Sequence, residues 1–516
     1  MTDYTDIVVG AGSSGAALAA RLSEDPARQV LLLEAGPDYM TLDSLPPDLR
    51  RGTYPSFVTD DWGYTATVAR DRVIPLPRGK LTGGSSAVNT CIAFRPDPLD
   101  FQDWVARGND LWSWERVLPY FNRLEDDRDF SGEYHGRGGP IPIRRYTRNE
   151  LVPLQRAMLE VCRGRGYEVV DDHNKPSVTG VGVMPTNAID GKRISTAIGY
   201  LTEARRRPNL TVQAQTTVNR VVFEGGKAVG VEVFPTAGGT GTTTLRAGNV
   251  VLSAGSIGSP AILWRSGVGP AAALSRLGVK TIVDSPGVGS NLSDHPIVGV
   301  SLAPKPGVCD MVNPVCQVIL KYTASGSEDF NDMQLYMFSQ IDITTFAKEI
   351  QQVVDGTMVF MVPASLQTPR ARGKVALTSA DPTRPPAVEL NSGGDPEDRR
   401  RLLDGIRLAW SVANSPEVSE FAERIVFLDQ QTVDSDSALT EWLYGSLNTT
   451  QHPCGTVKMG PESDPESVVD QRCRVRGVEN LRVVDASIMP SIVRSNPNLT
   501  CIMFGERLAD LIKEDS

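Results

Sequence analysis

The chain has 516 residues, of which 40% are hydrophobic and 22% charged, as is usual for a globular protein of several domains. Its formal net charge of −10 leaves no basic field that would hold a phosphate backbone, so no nucleic-acid partner is expected. No apolar stretch approaches the roughly 20 residues that span a bilayer. The acidic N-terminus MTDYTD lacks the positive start of a secretory signal. The expected location is cytoplasmic, without a membrane span.

The first segments predict a β-α-β unit. Residues 6–9 form a short apolar strand, residues 13–23 have the small-residue and leucine pattern of a helix, and residues 29–34 form a second strand. A glycine-rich turn lies at the first corner of this unit. In an α/β sheet this corner is where a dinucleotide binds.

The glycine-rich turn has the GxGxxG spacing of a dinucleotide site. Glycine lets the backbone turn tightly and approach a pyrophosphate, whose charge then meets a helix N-terminus. Glu34 ends the second strand, where a carboxylate binds the ribose hydroxyls, and the sequence Glu-Ala-Gly is typical of flavoproteins. The residues expected to hold the dinucleotide here are Gly10, Gly12, Ser13, Ser14, Gly15, Glu34 and Ala35.

Further strands and two long helices follow along the chain. Between about residues 300 and 390 the pattern of short strands with polar breaks indicates an antiparallel sheet. A helix over residues 396–413 begins with acidic residues, which suit its positive end, and a last helix is predicted over about 499–513. The strands are predicted at 211–222, 228–234, 249–253, 298–302, 317–322, 332–338, 357–362, 373–378 and 481–484, with a Gly/Ser turn at 254–258.

The histidines and cysteines show no metal-ligand spacing, so no metal is expected. Seven scattered cysteines without CxxC spacing are expected to be buried thiols. His135 and His173 lie in charged, polar stretches and are expected to be solvated. His295 is expected to be a structural histidine in a loop.

Several long motifs resemble the glucose–methanol–choline (GMC) oxidoreductases. Residues 79–89, GKLTGGSSAVN, are similar to the first signature of that family, and residues 255–269, GSIGSPAILWRSGVG, to the second. Similar segments occur at residues 291–295 (NLSDH), around His452, and at residues 484–487 (VDAS). The resemblance covers nearly the whole chain, and its details are similar to choline oxidases and hydroxymethylfurfural oxidases.

The resemblance implies an α/β protein, α+β overall, with a Rossmann-like FAD-binding domain split in sequence and a substrate domain with an antiparallel sheet flanked by helices. The FAD-binding domain is expected at residues 1–150, 190–297 and 440–516, and the substrate domain at 151–189 and 298–439. FAD is expected without a covalent bond, because Val88 stands where covalently modified members carry a histidine. Further implied cofactor-binding residues are Gly84, Asn89, Val218, Ala254, Asp485 and Ala486.

The same resemblance implies the catalytic pair. A C-terminal histidine, here His452, acts as a general base beside the flavin, and its partner is a His or Asn about 44 positions later. Ungapped spacing selects Asn496, and Asn498 is the competitor if the loop at 461–466 is longer than usual. Asn496 would orient the alcohol.

The implied reaction is oxidation of a primary alcohol to an aldehyde by hydride transfer to flavin N5. The alcohol is expected on a small aromatic or heteroaromatic frame, and pyridoxine-type and aryl alcohols are equally open. Oxygen is the expected electron acceptor, with a quinone or another acceptor as the alternative. Carbon–carbon cleavage like that of hydroxynitrile lyases, and flavin binding without turnover, are the other readings of this fold.

Overall fold

The computed structural model describes residues 4–238, 241–343 and 357–515, and two large sheets organise most of them. Within these ranges no helix combines the length and the apolar composition that crossing a membrane requires. The predicted strand 357–362 begins at the edge of a range that the structure describes and is observed as Met358–Leu366.

The first sheet has seven strands and contains the predicted β-α-β unit. Its central strands run parallel and are buried on both faces, as is usual where helices cover both sides. Two antiparallel strands extend one edge. The order is Leu210–Gln213, Val30–Leu33, Tyr4–Val9, Thr243–Leu252, Lys227–Pro235 and Thr216–Glu224, with Leu481–Val483 paired in parallel to Thr243–Leu252.

The predicted strand 211–222 is wrong as a single element. Leu210–Gln213 pairs with Val30–Leu33, whereas Thr216–Glu224 belongs to the antiparallel edge. Between them Gln215 adopts a left-handed conformation with φ of +51°, which ends one strand and redirects the chain. The apolar pattern runs through this break, because both pieces are half-buried strands.

The second sheet has nine strands and is antiparallel except for one short edge pair. The predicted strand 332–338 is two strands, and both pair with Met358–Leu366. The strands in order are Ala422–Val426, Pro296–Pro304, Met358–Leu366, Met333–Tyr336, Val318–Tyr322, Gly180–Val183 and Val169–Val170, with Phe338–Asp342 and Asn448–Thr449 paired at the side. The predicted fold class, a split Rossmann-like domain with an antiparallel substrate sheet, is confirmed.

Smaller sheets connect distant parts of the chain. Thr65–Ala69 belongs to the expected FAD-binding range, yet it pairs with Ala387–Glu389 of the expected substrate range. This four-stranded sheet also contains Lys374–Ala376 and Arg72–Pro75. The remaining strands are Glu125–Asp127, Ile141–Arg145 and Pro185–Thr186 in one sheet, and the ribbons Ala188–Ile189 with Lys192–Arg193 and Val268–Gly269 with Val283–Asp284.

Helices cover both sheets. The helix Pro396–Ala413 is observed as predicted, because Asp395 caps it by accepting the N–H groups of Glu397 and Asp398. The predicted turn 254–258 is instead the start of a helix, Gly255–Arg265. The other α-helices are Ser13–Leu22, Pro47–Arg50, Pro98–Ala106, Trp114–Leu124, Pro153–Gly164, Thr202–Ala204, Ala271–Arg276, Pro416–Ser419, Gln430–Asp434, Asp436–Ser446 and Asn498–Glu514.

The first and last helices pack closely together. A Cβ at Gly505 would lie 2.4 Å from the carbonyl oxygen of Ser14, so only glycine permits this approach. Ser13 Oγ donates to Asn498 Oδ1 at 2.8 Å. The N-termini of the two helices therefore lie next to each other.

The expectation of solvated histidines is wrong. His135 is 7% exposed and His173 2% exposed. His173 lies edge-on to Phe94, with ring centroids 5.9 Å apart. Charged neighbours in sequence suggested solvent, but one of them, Asp172, is buried and pairs with His135 and Arg145. All seven cysteines are free thiols; Cys91, Cys162, Cys454, Cys473 and Cys501 are buried, whereas Cys309 and Cys316 are only partly so.

Candidate active site

A cavity of about 1170 Å³ runs from the carboxyl ends of the parallel strands to the nine-stranded sheet. Its walls include Val9 and Leu33, the last residues of two parallel strands, and Val298 and Met361 of the second sheet. In open α/β sheets, ligands bind outside the carboxyl ends of the strands. The cavity therefore begins where the sequence predicted a dinucleotide.

The glycine-rich turn forms a cradle at one end of the cavity. Gly10 has φ of +99°, and a Cβ there would lie 2.5 Å from the carbonyl oxygen of Ser253. Gly84 of the first signature has φ of +51°, and its Cβ would lie 2.7 Å from the Cα of Gly12. Side chains are thus excluded where two backbone segments meet, and the cradle fits a pyrophosphate at the start of the helix Ser13–Leu22.

Glu34 lies beside this cradle. Its Oε2 accepts the N–H of Ala11 and its Oε1 accepts the N–H of Gly36, each at 3.0 Å. Burial raises the pKa of Glu34 to about 7, although these N–H donors oppose the rise. Each carboxylate oxygen has a further lone pair, and Glu34 lines the cavity. The residue fits the ribose-binding role.

Asp485 holds the cavity wall together. Its Oδ1 accepts the N–H and the hydroxyl of Ser487, and its Oδ2 accepts the N–H of Gly255 and the hydroxyl of Ser259. These four donors join the second signature to the VDAS segment. Asp485 therefore contributes to the cavity by fixing this turn.

Among the other residues expected at the cofactor, most line the cavity, and some support the segments that line it. Gly15 lies behind the cradle, where its Cβ would be 1.9 Å from the carbonyl oxygen of Gly10. Asn89 Oδ1 accepts the N–H of Cys91 at 2.9 Å, which fixes the first signature. The residues that line the cavity directly are Gly10, Gly12, Ser13, Ser14, Ala35, Gly84, Asn89, Val218, Ala254 and Ala486.

His452 and Asn496 meet at the cavity wall. The amide N–H of Asn496 donates to Nε2 of His452 at 3.1 Å, across 44 positions of sequence. The competitor Asn498 instead accepts from Ser13 and does not share this bond. Gln451, with φ of +69°, forms the turn before His452, and the backbone N–H of His452 donates to Asp294 at 3.0 Å.

The surroundings of His452 keep its imidazole neutral. Burial lowers the pKa of His452 well below its ordinary value, and the positive charge of Arg78 lowers it further. Arg78 lines the cavity and donates to Gln451 Oε1 at 3.0 Å. A neutral imidazole has one nitrogen with a lone pair, so His452 can act as a base; in this structure that nitrogen, Nε2, accepts the amide N–H of Asn496.

Sequence reasoning missed His295 and Thr450. His295 is not an isolated loop histidine, because its Nδ1 lies 3.0 Å from Nδ1 of His452. Thr450 Oγ1 lies 2.7 Å from the same nitrogen. The NLSDH segment marked His295 as part of a family-like motif, but its sequence carries no sign of a contact 157 positions away.

A second histidine cluster lies away from the cavity. His135 contacts Asp172 at 2.8 Å and Asp127 at 3.0 Å. Burial lowers the pKa of His135, but hydrogen bonds to Asp127, Asp172 and Glu125 outweigh it and raise the pKa to about 10. We call this group the His135 cluster; it comprises Arg95, Glu125, Asp127, His135, Arg145 and Asp172.

The His135 cluster contains ligand atoms of Glu125, Asp127 and His135 close enough together for a metal ion. The carboxylates are nevertheless engaged, because Arg95 binds Glu125 at 2.6 Å and Arg145 binds Asp127 at 2.7 Å. Two guanidinium groups and a protonated imidazole balance three carboxylates. The arrangement is a buried ion-pair network.

The second sheet supplies an apolar wall to the cavity. Its side chains there include Ile341, Val359 and Met361, with Tyr336 and Phe338 as aromatic members. Of the described residues that line the cavity, the carboxylates are Glu34 and Asp485. Both lie beside the glycine turns, so this wall has no negative group among the residues that the structure describes.

Comparisons with known proteins agree along the whole length of the chain. Sequence models of the GMC oxidoreductases match residues 4–297 and 369–505. An uncharacterized GMC-type oxidoreductase of Rhodococcus erythropolis is 36% identical over 99% of each chain. Mitochondrial choline dehydrogenase of Homo sapiens is 34% identical over 99% of this chain and 90% of that one.

The same likeness extends to three dimensions. The crystal structure of pyridoxine 4-oxidase from Mesorbium loti has a TM-score of 0.91 to this chain, with 29% identity and 99% of both chains covered. The matched regions include the glycine cradle and the pair formed by His452 and Asn496, all of which line the cavity. The chain therefore belongs to the GMC oxidoreductases, a family of enzymes that bind FAD.

Proposed function

We propose that the protein oxidises a primary alcohol to an aldehyde, with His452 as general base and Asn496 as the residue that orients the alcohol. The observation that carries the proposal is the pair formed by a neutral His452 and the Asn496 amide at the cavity wall. When bound, FAD supplies the acceptor for the hydride that leaves the carbinol carbon.

The chain's own residues perform the proton half of this reaction. An alcohol becomes a good hydride donor only as its hydroxyl proton leaves, so a base must lie within hydrogen-bond reach of that proton. His452 Nε2 accepts the proton. The Asn496 amide donates to the same oxygen, which holds the alcohol in place and stabilises the negative charge that develops.

The residues that would hold FAD are those of the cradle, with Glu34 on the ribose hydroxyls. The helix Asn498–Glu514 begins at the cavity, and its positive N-terminal end favours negative charge there. Retention is proposed to be non-covalent. Val88 lines the cavity without a nucleophile, and burial raises the pKa of Cys501, another lining residue, to about 12, so its thiol stays protonated.

The substrate is proposed to be a neutral alcohol on a small aromatic or heteroaromatic frame. The apolar wall of the second sheet favours such a frame, because it buries apolar surface and offers ring contacts from Tyr336 and Phe338. A quaternary ammonium alcohol could make the same ring contacts, but the described part of this wall adds no carboxylate to pair with its charge.

Oxygen is proposed as the electron acceptor. Support comes from the likeness to pyridoxine 4-oxidase at 29% identity and from the guanidinium of Arg78 at the cavity wall. Reduction of oxygen creates negative charge, and a fixed cation nearby stabilises it. Each aldehyde formed would then be matched by one molecule of hydrogen peroxide.

The experiment is a panel of alcohols tested for flavin bleaching without oxygen. Benzyl and pyridyl methanols are expected to bleach the flavin faster than choline. Oxygen admitted afterwards should restore the colour and release hydrogen peroxide. Absence of bleaching with every alcohol, together with release of an aldehyde from a cyanohydrin, would instead support lyase chemistry; turnover only with a quinone would support a dehydrogenase.

Glu34→Gln tests the cofactor site independently of turnover. The neutral amide removes a charge-assisted bond to the ribose, an interaction of about 1.5–3 kcal/mol, so affinity for FAD should fall about 10- to 100-fold. The measurement is FAD retained after dialysis, followed by titration of the apoprotein. A variant that binds FAD like the parent would contradict this placement of the ribose.

A further inference from the structure

His295 donates a hydrogen bond to a backbone carbonyl, a group that can only accept one. Its Nε2 lies 3.0 Å from the backbone carbonyl oxygen of Val493. A carbonyl has no hydrogen to give, so Nε2 of His295 must carry one. Burial lowers the pKa of His295 to about 3, so the ring is neutral and its other nitrogen, Nδ1, has a free lone pair.

The orientation of His295 determines which nitrogen of His452 is protonated. The two Nδ1 atoms are 3.0 Å apart, and the rings are nearly perpendicular at 88°. Since Nδ1 of His295 is the acceptor, the hydrogen between them belongs to Nδ1 of His452. In a neutral imidazole this leaves Nε2 as the unprotonated nitrogen.

Thr450 acts on the same nitrogen in the same direction. Its hydroxyl donates to the backbone carbonyl oxygen of His295 at 3.3 Å. Thr450 Oγ1 also lies 2.7 Å from Nδ1 of His452. Because the orientation of His295 already places the hydrogen on Nδ1 of His452, Thr450 Oγ1 is the acceptor in this contact. The one hydrogen of Nδ1 thus has two acceptors, and each of them gives its own hydrogen to a backbone carbonyl.

We propose that His295 and Thr450 are positioning residues that hold His452 as the Nδ1–H tautomer and so present a bare Nε2 to the substrate. If His452 carried its hydrogen on Nε2 instead, Nδ1 of His295 would have to be the donor between the two rings. The neutral His295 would then have no hydrogen on Nε2, and that lone pair would face the carbonyl oxygen of Val493. A buried carbonyl and imidazole would then both lose their hydrogen bond. The use of the bare Nε2 as a base rests on the proposed function; the tautomer itself does not.

The Asn496 amide fits this assignment. Its N–H donates to Nε2 of His452 at 3.1 Å, which requires a lone pair on that nitrogen. The carboxamide oxygen of Asn496 is buried and has no partner among the described residues. One chain of hydrogen bonds thus runs from the Val493 carbonyl, through both histidines, to the side chain that faces the alcohol.

The first test is nitrogen NMR on the holoenzyme with ¹⁵N-labelled histidine. The chain has only 4 histidines, so the ring signals of His452 and His295 are assigned from single variants at each position. In the parent, Nδ1 of His452 and Nε2 of His295 are expected to be protonated and the other two nitrogens bare. A protonated Nε2 on His452 overturns the proposal without any assay of activity.

The second test removes the acceptors. His295→Leu and Thr450→Val are each expected to slow anaerobic flavin reduction about tenfold, and the double variant about 100-fold, as expected from one and two lost hydrogen bonds. In the double variant the ¹⁵N signals of His452 should show loss of the single tautomer. A double variant that keeps Nδ1–H in full overturns the proposal, because the tautomer would then have another cause.

His295→Asn is the matched control. Its carboxamide oxygen takes the place of Nδ1 as an acceptor but loses the bond to Val493, as His295→Leu does. It is expected to reduce the flavin faster than His295→Leu, and equal rates count against the proposal. If no alcohol reduces the flavin of the parent, the proposed function fails, while the NMR result on the parent still decides the tautomer.

Discussion

His452 and His135 are both surrounded by protein, yet they have opposite charge states. At the cavity the neighbours of His452 are a neutral imidazole, a hydroxyl and an amide, and burial lowers its pKa well below the ordinary value. In the His135 cluster burial acts in the same direction, but three carboxylates raise the pKa to about 10. Burial sets the direction of a histidine pKa only where no counter-charge opposes it.

The two charge states suit the two histidines to different roles. A base must be neutral at working pH, so an imidazole whose ring nitrogens contact no carboxylate among the described residues suits proton abstraction. A protonated histidine between carboxylates cannot accept a proton, but it joins chain segments. The His135 cluster connects Glu125 and Asp127 with Asp172, 37 positions beyond His135.

The largest effect is expected from His452→Ala. Flavin reduction by alcohol should fall about 100-fold to 10,000-fold, the range for loss of a positioned general base. FAD content should stay at the parent level, since His452 contacts none of the cradle residues in its hydrogen bonds. Anaerobic stopped-flow absorbance measures the rate, and a variant as fast as the parent would show that another group is the base.

Asn496→Ala should be milder. It removes one donor to the developing alkoxide, which costs about 100-fold to 1,000-fold for a comparable oxyanion donor. Asn498→Ala is the control for register, because Asn498 bonds to Ser13 and not to His452. A larger loss of flavin reduction in Asn498→Ala than in Asn496→Ala would contradict the assignment.

His295→Asp converts the neutral site into one like the His135 cluster. A carboxylate about 3 Å from Nδ1 of His452 should raise the pKa of the imidazole by roughly 1–3, because an opposite charge favours its protonated form. Since the protonated ring cannot act as a base, flavin reduction should fall as pH decreases through this raised pKa.

The control for this change is His295→Asn, which has the same shape without the charge. The other ionisable groups that face His452 are Arg78 and Asp294, and burial raises the pKa of Asp294 to about 6. Both are present in the two variants, so only the difference between their pH profiles is assigned to the new carboxylate. Superimposable profiles would contradict the electrostatic account of the neutral base.

His135→Gln should have the smallest effect, and only on stability. The pKa of His135 is about 10 in the folded chain against an ordinary 6.5, so its contribution is complete below pH 6.5 and is lost as pH rises towards 10. Between these values the free energy of unfolding of the parent should decrease with pH more steeply than that of the variant, by at most about 1.4 kcal/mol per pH unit.

Urea unfolding at several pH values measures this difference. Flavin reduction by His135→Gln should match the parent, because the His135 cluster does not line the cavity. Identical pH slopes would mean that His135 is neutral in the folded chain. Slower flavin reduction by His135→Gln would show that the His135 cluster also affects the reaction at the cavity.

The sequence by itself determined the features that depend on neighbouring residues. Gly10 and Glu34 were predictable because a strand, a glycine turn and a helix follow one another, and no side chain fits at Gly10. The helix Pro396–Ala413 was predictable from the acidic residues at its start. The pairing of His452 with Asn496 followed from a family-like spacing along the chain.

Only the tertiary structure decided the features that depend on distant contacts. The contact of His295 with His452 joins residues 157 positions apart, and the carbonyl of Val493 that orients His295 lies 198 positions away. The charged stretch around His135 looked solvated because opposite charges far apart in sequence give no sign that they will meet. Charge state and tautomer depend on what surrounds a side chain in space, and the chain sets those surroundings only when it is folded.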